Sequence, residues 1–409
     1  MSTAASDPVR EPAAGRLSAA VAPSLLREMN QRLLLEKLFA AGPATRPQLA
    51  KAAGLSQPTV IAALDGLERA GLVVARDGEP AQLGRPAKLY AANPAAGAVA
   101  GIDIGRGWLH LRVADLFGTT LAQVDVRNTA KGAAALVDLT ARSLEEATGQ
   151  AGLTLAGLTS TVIGSPGVLE PGRGGVRYAA NLPGWHQAGL AQALVERIGP
   201  SVSLDNDANL AALAELSEGA ARGLTDFAYL TVGTGVGVGL VLDGRIYRGV
   251  TGAAGEVGYL PIGEAPSGRS RRSRRGTFEE VAAADAVVRY AKEAGVPGRV
   301  TAEGVFALAR RGVPEALTAI TVQAGQLAIA VASIAAFLDP EAIVMGGRIG
   351  QNLDLLEPPI TAALRDITPM RPTLVAGELG EEAVVRGAVV RSAGLAREAV
   401  FAERLLPAG

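Results

Sequence analysis

Three short runs in this 409-residue chain have residue types suited to chemistry. The first is Gly233-Thr234-Gly235. Glycine backbone N–H groups can approach phosphate oxygens closely, so this turn suits a phosphate-binding loop. A plain glycine turn between strands is the other reading. The second is Asn206-Asp207, just after the end of a strand. A carboxylate there can accept a proton from a hydroxyl group. Both residues can equally cap the helix that begins at Ala208. The third runs from Ser56 to Ala62. Gln57 can bond adenine bidentately, and Ile61 or Ala62 can meet a thymine methyl. Ser56 and Thr59 can hold phosphate, and Ser56 is a good helix cap.

Flanking patterns say which elements position these groups. Leu25, Leu26, Met29, Leu33, Leu34 and Leu38 recur at helical spacing, and Gly42-Pro43 stops that helix. A second helix is expected over about 46–53, ended by Gly54, and a third from Ser56 to about Ala70. Leu72-Val73-Val74 and Ala87 to Tyr90 read as strands around an Asp77-Gly78 turn. Three helices and a hairpin predict a winged helix-turn-helix over residues 21–92. Its third helix would bury Val60, Leu64 and Leu67 and lay its N-terminal residues in the major groove. No arginine lies between Ser56 and Glu68. Attraction to phosphates therefore falls to Arg46, Lys51, Arg76, Arg85 and Lys88. Residues 1–20 are rich in Ala, Pro and Ser and are expected to be disordered, and 93–98 read as a linker.

From Val99 onward, strands alternate with helices. Strands are expected at 99–104, 109–115, 120–127, 160–163, 201–204, 227–232, 236–242, 245–247 and 342–345. Helices are expected over 133–148 and in a long segment ending at Leu338. This predicts an α/β core over 99–409 with a mixed sheet in each half. Gly101 to Gly105 (GIDIG) and Thr231 to Gly235 (TVGTG) share a strand-to-glycine-turn position, consistent with a duplicated fold.

Composition narrows the classes. Net charge is −1, against a wholly basic nucleic-acid binder, but residues 1–95 carry +3 and the rest −4. With no cysteine, disulfides and thiolate metal sites are excluded. His110 and His186 are the only histidines, too few for a multi-histidine metal centre. Residues 316–338 carry no charge and are long enough to cross a bilayer. Gln323, Gln326 and several Thr and Ser make a buried core helix the better reading. The first sixteen residues lack the apolar stretch of a signal peptide, so a cytoplasmic protein without a membrane partner is expected.

An ordered set of motifs then narrows the reading. It comprises GLSQPTV (54–60), LGRP (83–86), GIDIG (101–105), GSPG (164–167) and NLPGW (181–185). NDAN (206–209), GTGVGVG (233–239), GAAGEVG (252–258) and IVMGG (343–347) follow. Over about residues 25–400 the chain resembles the ROK family (repressors, open reading frames and sugar kinases), in its repressor branch. The resemblance implies an actin-like ATPase fold with two lobes around a cleft, assembled as a homodimer or homotetramer. It implies that Asn181, Asn206 and Glu256 bind sugar hydroxyls, that Asp207 is the base of a kinase, and that Arg85 reaches toward the minor groove.

Two departures qualify it. Kinases of the family carry an Asp-x-Gly-Gly-Thr type loop; here the run is Asp103-Ile104-Gly105-Arg106-Gly107-Trp108. Arg106 should crowd phosphates, although its charge can also attract one, so ATP as a cofactor and ATP-dependent catalysis are doubtful. The zinc element is also gone. Tyr259 holds the usual His position, which also touches sugar, and Ser270, Arg272 and Thr277 hold the three Cys positions. No metal or other cofactor is expected. The five arginines of 269–275 read as a solvated loop more readily than as an anion site. The expected function is a DNA-binding regulator, a repressor of carbohydrate genes. Its partners would be a double-stranded operator and a sugar or sugar-derivative effector. An active sugar kinase with an added DNA head and a ligand-independent repressor are the competing readings.

Overall fold

The structure, a computed structural model, describes residues 23–77, 87–169, 176–177, 189–262 and 276–405. Asn181, Arg85, the 1–20 segment and the 269–275 arginine run lie outside the described residues. The chain forms two compact units. One holds the residues up to Asn93 together with those from Phe401, and the other runs from Pro94 to Val400.

In the first unit, α1 (Pro23–Ala41) precedes β1 (Ala44–Thr45), α2 (Arg46–Ala53) and α3 (Gln57–Arg69). Strands β2 (Val73–Asp77) and β3 (Lys88–Ala92) follow. Local chemistry sets these bounds. Thr45 and Gln48 form a capping box at the start of α2, and Gly54 ends it in the left-handed region at φ +66°. Ser56 caps α3 by accepting from the Thr59 N–H. Leu34, Leu38, Leu49, Val60, Leu64, Leu67 and Tyr90 make the core. Gly66 leaves room for the Gln31 side chain where α3 meets α1: a Cβ there would lie 2.1 Å from Gln31 Nε2, so the amide would have to shift.

Two details differ from expectation. Leu25, Leu26 and Met29 are exposed, and Leu35 is buried instead, so only the second half of the α1 stripe faces the core. Strand β1 was not foreseen. It pairs with β3, giving the sheet order β1-β3-β2. The last turn of the chain also belongs here: Arg32 lies over the Phe401 ring, and Arg404 donates to the Ala70 carbonyl at 3.3 Å.

The second unit begins with β4 (Ala98–Ile104), β5 (Trp108–Asp115), β6 (Thr120–Arg127), α4 (Ala133–Gln150) and β7 (Leu158–Ser165). The short pair β8 (Val168–Leu169) and β9 (Val176–Arg177) leads to α5 (Leu190–Ile198), β10 (Val202–Asn206) and α6 (Asp207–Glu218). The second half contains β11 (Phe227–Val232), β12 (Val236–Leu242), β13 (Arg245–Ile246), α7 (Thr277–Ala282), α8 (Ala284–Glu293) and α9 (Ala302–Arg310). It ends with α10 (Pro314–Leu338), β14 (Ala342–Gly346), α11 (Gly347–Gly350), α12 (Leu353–Ile367), β15 (Leu374–Ala376) and α13 (Ala383–Leu405).

The sheet orders are β10-β7-β4-β5-β6 and β13-β12-β11-β14-β15. In each, the central strand has two antiparallel pairings on one side and two parallel ones on the other. Strand β4 therefore corresponds to β11, and the glycine turn after β4 to the turn after β11. The duplication that was only suggested by GIDIG and TVGTG is present in the topology. Each sheet has its own apolar core, centred on Ile102, Leu111 and Leu144 in one lobe and on Leu230, Phe306 and Leu327 in the other. Helices α6 and α13 lie in contact, and Gly387 allows it: a Cβ there would fall 1.8 Å from the Leu210 carbonyl oxygen.

Helix α10 is long and apolar enough to cross a membrane, but Ala319, Leu327 and Val331 are buried in the lobe core. Its buried Gln323 donates to the Ala282 carbonyl at the end of α7, so its one inward-facing amide serves as a packing bond.

Candidate functional site

The two units carry two separate sets of candidate residues. On α3, Ser56, Gln57, Pro58, Ile61 and Ala62 are exposed and Thr59 is half-buried. The Ser56 and Thr59 hydroxyls are 2.8 Å apart and bond to each other. Gln57, Ile61 and Ala62 thus share an outward face with an uncommitted amide and two apolar groups. Asp65, one turn further on, is exposed too, and an acid there repels phosphate, so the usable contact is the first two turns. Among the expected cations, Arg46 stacks on Tyr90 at 5.1 Å, and Lys88 sits 3.7 Å from Glu68. Lys51 and Arg76 are exposed and are the better placed for a backbone.

In the second unit, two adjoining cavities lie where both glycine turns converge. The smaller, about 200 Å³, is lined by Asp103, Arg106, Gly167, Asn206, Asp207, Glu256 and the whole Gly233–Gly235 turn. The larger, about 410 Å³, shares Asp103, Arg106, Asp207, Gly233 and Thr234 with it. It adds Trp108, His110, Arg127, Gly347, Arg348 and Glu381.

Asn206 uses both ends of its amide internally. Its carbonyl oxygen accepts from the Asn209 N–H at 3.1 Å, and its NH2 donates to the Gly167 carbonyl at 3.1 Å. The capping role is therefore real, and one lone pair and one N–H are left for a ligand. Asp207 starts α6 and accepts from the Ala208 N–H at 2.8 Å. Burial pushes its carboxyl up to about 6. Burial raises Glu256 to about 7, with repulsion from Asp207 and Glu279 adding to it. Asp103, at the end of β4, is also raised to about 7, by burial first and the nearby Asp207 second. The cleft thus holds three desolvated acids that share one space, a common condition of functional sites.

Tyr259 is exposed in the 3-10 turn Val257–Tyr259 that follows Glu256, and it lines neither cavity. Thr277, at one of the absent cysteine positions, donates to the Leu260 carbonyl at 2.7 Å and accepts from the Ile262 N–H at 3.2 Å. A hydroxyl clasp joins α7 to the 260–262 segment there. Several lining residues escaped the sequence reading. Arg127 stacks on Trp108 at 4.8 Å, and His110 bonds Asp125 at 2.8 Å. Arg348 pairs with Glu381 at 2.8 Å. They come from β6, β5, the short helix α11 and the 3-10 turn before α13, so only the folded topology assembles them. The Gly346-Gly347 signal did mark the last of these positions: Gly347 has φ +75°, and a Cβ there would lie 2.5 Å from the Val232 carbonyl oxygen.

Unfolded, these acids titrate near 4. Between pH 4 and 7 the folded cleft keeps protons that the unfolded chain has lost. The stability this gives is complete below pH 4 and is lost as pH rises through about 7. We expect Asp103→Asn to raise stability at pH 8 by about 1–3 kcal/mol and to flatten the melting-temperature profile between pH 6 and 8. Thermal melts across that range check it; an Asn variant that melts lower at pH 8 counts against the assignment.

The strand orders and the cleft define the actin-like sugar-kinase fold. The chain belongs to the ROK family, whose signature matches residues 99–392. A putative xylose repressor from Caldicellulosiruptor sp. is 30% identical, over 81% of this chain and 86% of its own. A glucokinase from Halalkalibacterium halodurans is 32% identical, over 64% of this chain and 83% of its own. Among solved structures, a ROK family transcriptional regulator, a homolog of the E. coli MLC protein, superposes with a TM-score of 0.73. It is 25% identical and covers 93% of this chain and 98% of its own.

Proposed function

We propose that this protein is a DNA-binding transcriptional regulator, a repressor of carbohydrate uptake or catabolism genes, whose kinase-like core senses a sugar or sugar derivative. The reach of the similarity carries this reading. The glucokinase match is no longer than the core, whereas the xylose repressor match spans more of the chain than residues 99–409 supply and so runs into the head. The head then acts as a winged helix-turn-helix. Gln57, Ile61 and Ala62 meet base edges, and Lys51 and Arg76 meet phosphates. Asn206, Asp207 and Glu256 meet sugar hydroxyls. In a dimer, effector binding changes the relative orientation of two heads and hence their fit to two half-sites.

The test is selection of bound fragments from a genomic library by the purified protein, followed by titration in salt. Absence of sequence-selective, salt-dependent binding would remove the reading. With an operator in hand, Gln57→Ala should weaken it by about 1–3 kcal/mol, roughly 5- to 150-fold, through lost bidentate contact. Non-specific affinity and the slope of log K against log salt should stay unchanged, because no phosphate contact is lost.

An active sugar kinase is the second reading, favoured by the placement of Asp207 beside the Gly233–Gly235 turn. Arg106 stands against it, in the space through which a transferred phosphate would pass. ATP-dependent phosphorylation of any member of a hexose and pentose panel, lost in Asp207→Ala, would establish it.

A further inference from the structure

Asp205 immediately precedes the Asn206-Asp207 pair and is buried. Its two oxygens have different partners. Oδ1 accepts from the Asn206 N–H at 2.9 Å. Oδ2 meets Arg248 Nη2 at 2.6 Å and Arg391 Nε at 3.7 Å. Arg248 is half-buried and follows β13 of the second sheet, whereas Asp205 lies on β10 of the first. The ion pair therefore ties one sheet to the other. Arg248 is also held through its backbone: its carbonyl accepts from the Ala254 N–H at 3.2 Å, two residues before Glu256. One residue is thus bonded at its two ends to the segments that carry Asn206, Asp207 and Glu256. Neither Asp205 nor Arg248 lines either cavity, so any effect on a ligand there passes through these neighbours.

Resting on the sugar-sensing reading above, we propose that Arg248 is a positioning residue: through Asp205 it holds Asn206 and Asp207 at a fixed spacing from Glu256. A carboxylate without its guanidinium is free to turn and release the Asn206 N–H, and the Glu256 segment loses its tether to β10. A partly exposed ion pair adds little to stability, so this one matters more for geometry than for keeping the fold. Groups that meet one ligand from two segments must stay within about 0.5 Å of their places to act together. Arg391 provides the comparison. It carries the same charge to the same oxygen, but it belongs to α13 and not to the Glu256 segment. Charge alone predicts like effects from both arginines, whereas positioning predicts the larger effect from Arg248.

Calorimetric titration of the full chain with glucose, xylose, mannose and N-acetylglucosamine is the first arm of the test. Arg248→Gln should weaken the tightest of these about five- to thirtyfold, and Arg248→Lys should recover part of the loss. Arg391→Gln should weaken it by less than about threefold. In an Asp205→Asn background, Arg248→Gln should have little further effect, because its action passes through Asp205. Hydrogen exchange without ligand is the second arm. Arg248→Gln should speed exchange by at least about threefold in peptides covering 204–210 and 250–258, with α10 unchanged as the control for folding. An affinity within about twofold of the parent's would overturn the proposal. So would an equal loss in Arg391→Gln, or unaltered exchange in both peptides. If no sugar binds the parent, the sugar-sensing reading falls, and the exchange arm alone decides the positioning role.

Discussion

Glu215→Ala is expected to lower the stability of the core by about 3–5 kcal/mol, and its melting temperature by roughly 5–15 °C. Glu215 lies on α6 and is fully buried. Its carboxylate accepts from three backbone N–H groups: Ala220 at 2.7 Å, Glu378 at 3.2 Å and Leu379 at 3.1 Å. No cation is paired with it among the described residues. Alanine would strand all three donors away from water and leave a cavity as well, which places the change among the severe substitutions. Two glycines clear the space: a Cβ on Gly219 or Gly377 would stand 2.1 and 2.8 Å from the carboxylate oxygens. The effect should spread to the cleft, because the pinned segment continues into Gly380 and Glu381, which line the larger cavity. Glu215→Gln keeps one accepting oxygen but sets an NH2 group against a donor, so it should fall between the two. Chemical denaturation of the three proteins checks the order; an alanine variant as stable as the parent would refute the role.

Asp207→Asn is expected to weaken effector binding by about ten- to a hundredfold while leaving the ligand-free protein as stable or slightly more stable. The two directions follow from one fact. Burial raises the Asp207 carboxyl to about 6, so its charge at neutral pH is held at a cost. Asparagine removes that cost, and it also removes the strong acceptor that a sugar hydroxyl would use. The Ala208 N–H keeps a partner, because the amide oxygen still accepts. The readout is therefore a lost ligand-induced rise in melting temperature with an unchanged or higher baseline. A baseline that falls sharply would mean that Asp207 is a structural cap and nothing more.

Local features were readable from sequence. Gly54 and Ser56 mark helix ends by their own conformational and hydrogen-bonding habits, and the elements appear with bounds close to those expected. Strands 120–127, 227–232 and 236–242 appear at the residues expected. Long-range features were not readable. Strand β1 is two residues long and exists only because β3 returns beside it. Glu215 sits in a run that reads as an ordinary amphipathic helix, and only the approach of residues 378 and 379 buries its charge. Arg127 and Arg348 are surface arginines by pattern, yet the sheet topology brings them to one cavity. In α1 the periodicity was right but the covered length was not, since the helix extends past the elements that could bury Leu25 and Met29. Tyr259 follows Glu256 closely in sequence, but it is exposed in the 3-10 turn and lines neither cavity.

The two glycine turns hold equivalent places in two sheets, and each sheet has a separate apolar core. The walls of the cleft therefore come from two sheets within one compact unit. A ligand that touched both turns would gain its full contact energy at one spacing of the sheets only, so binding would favour that spacing over others.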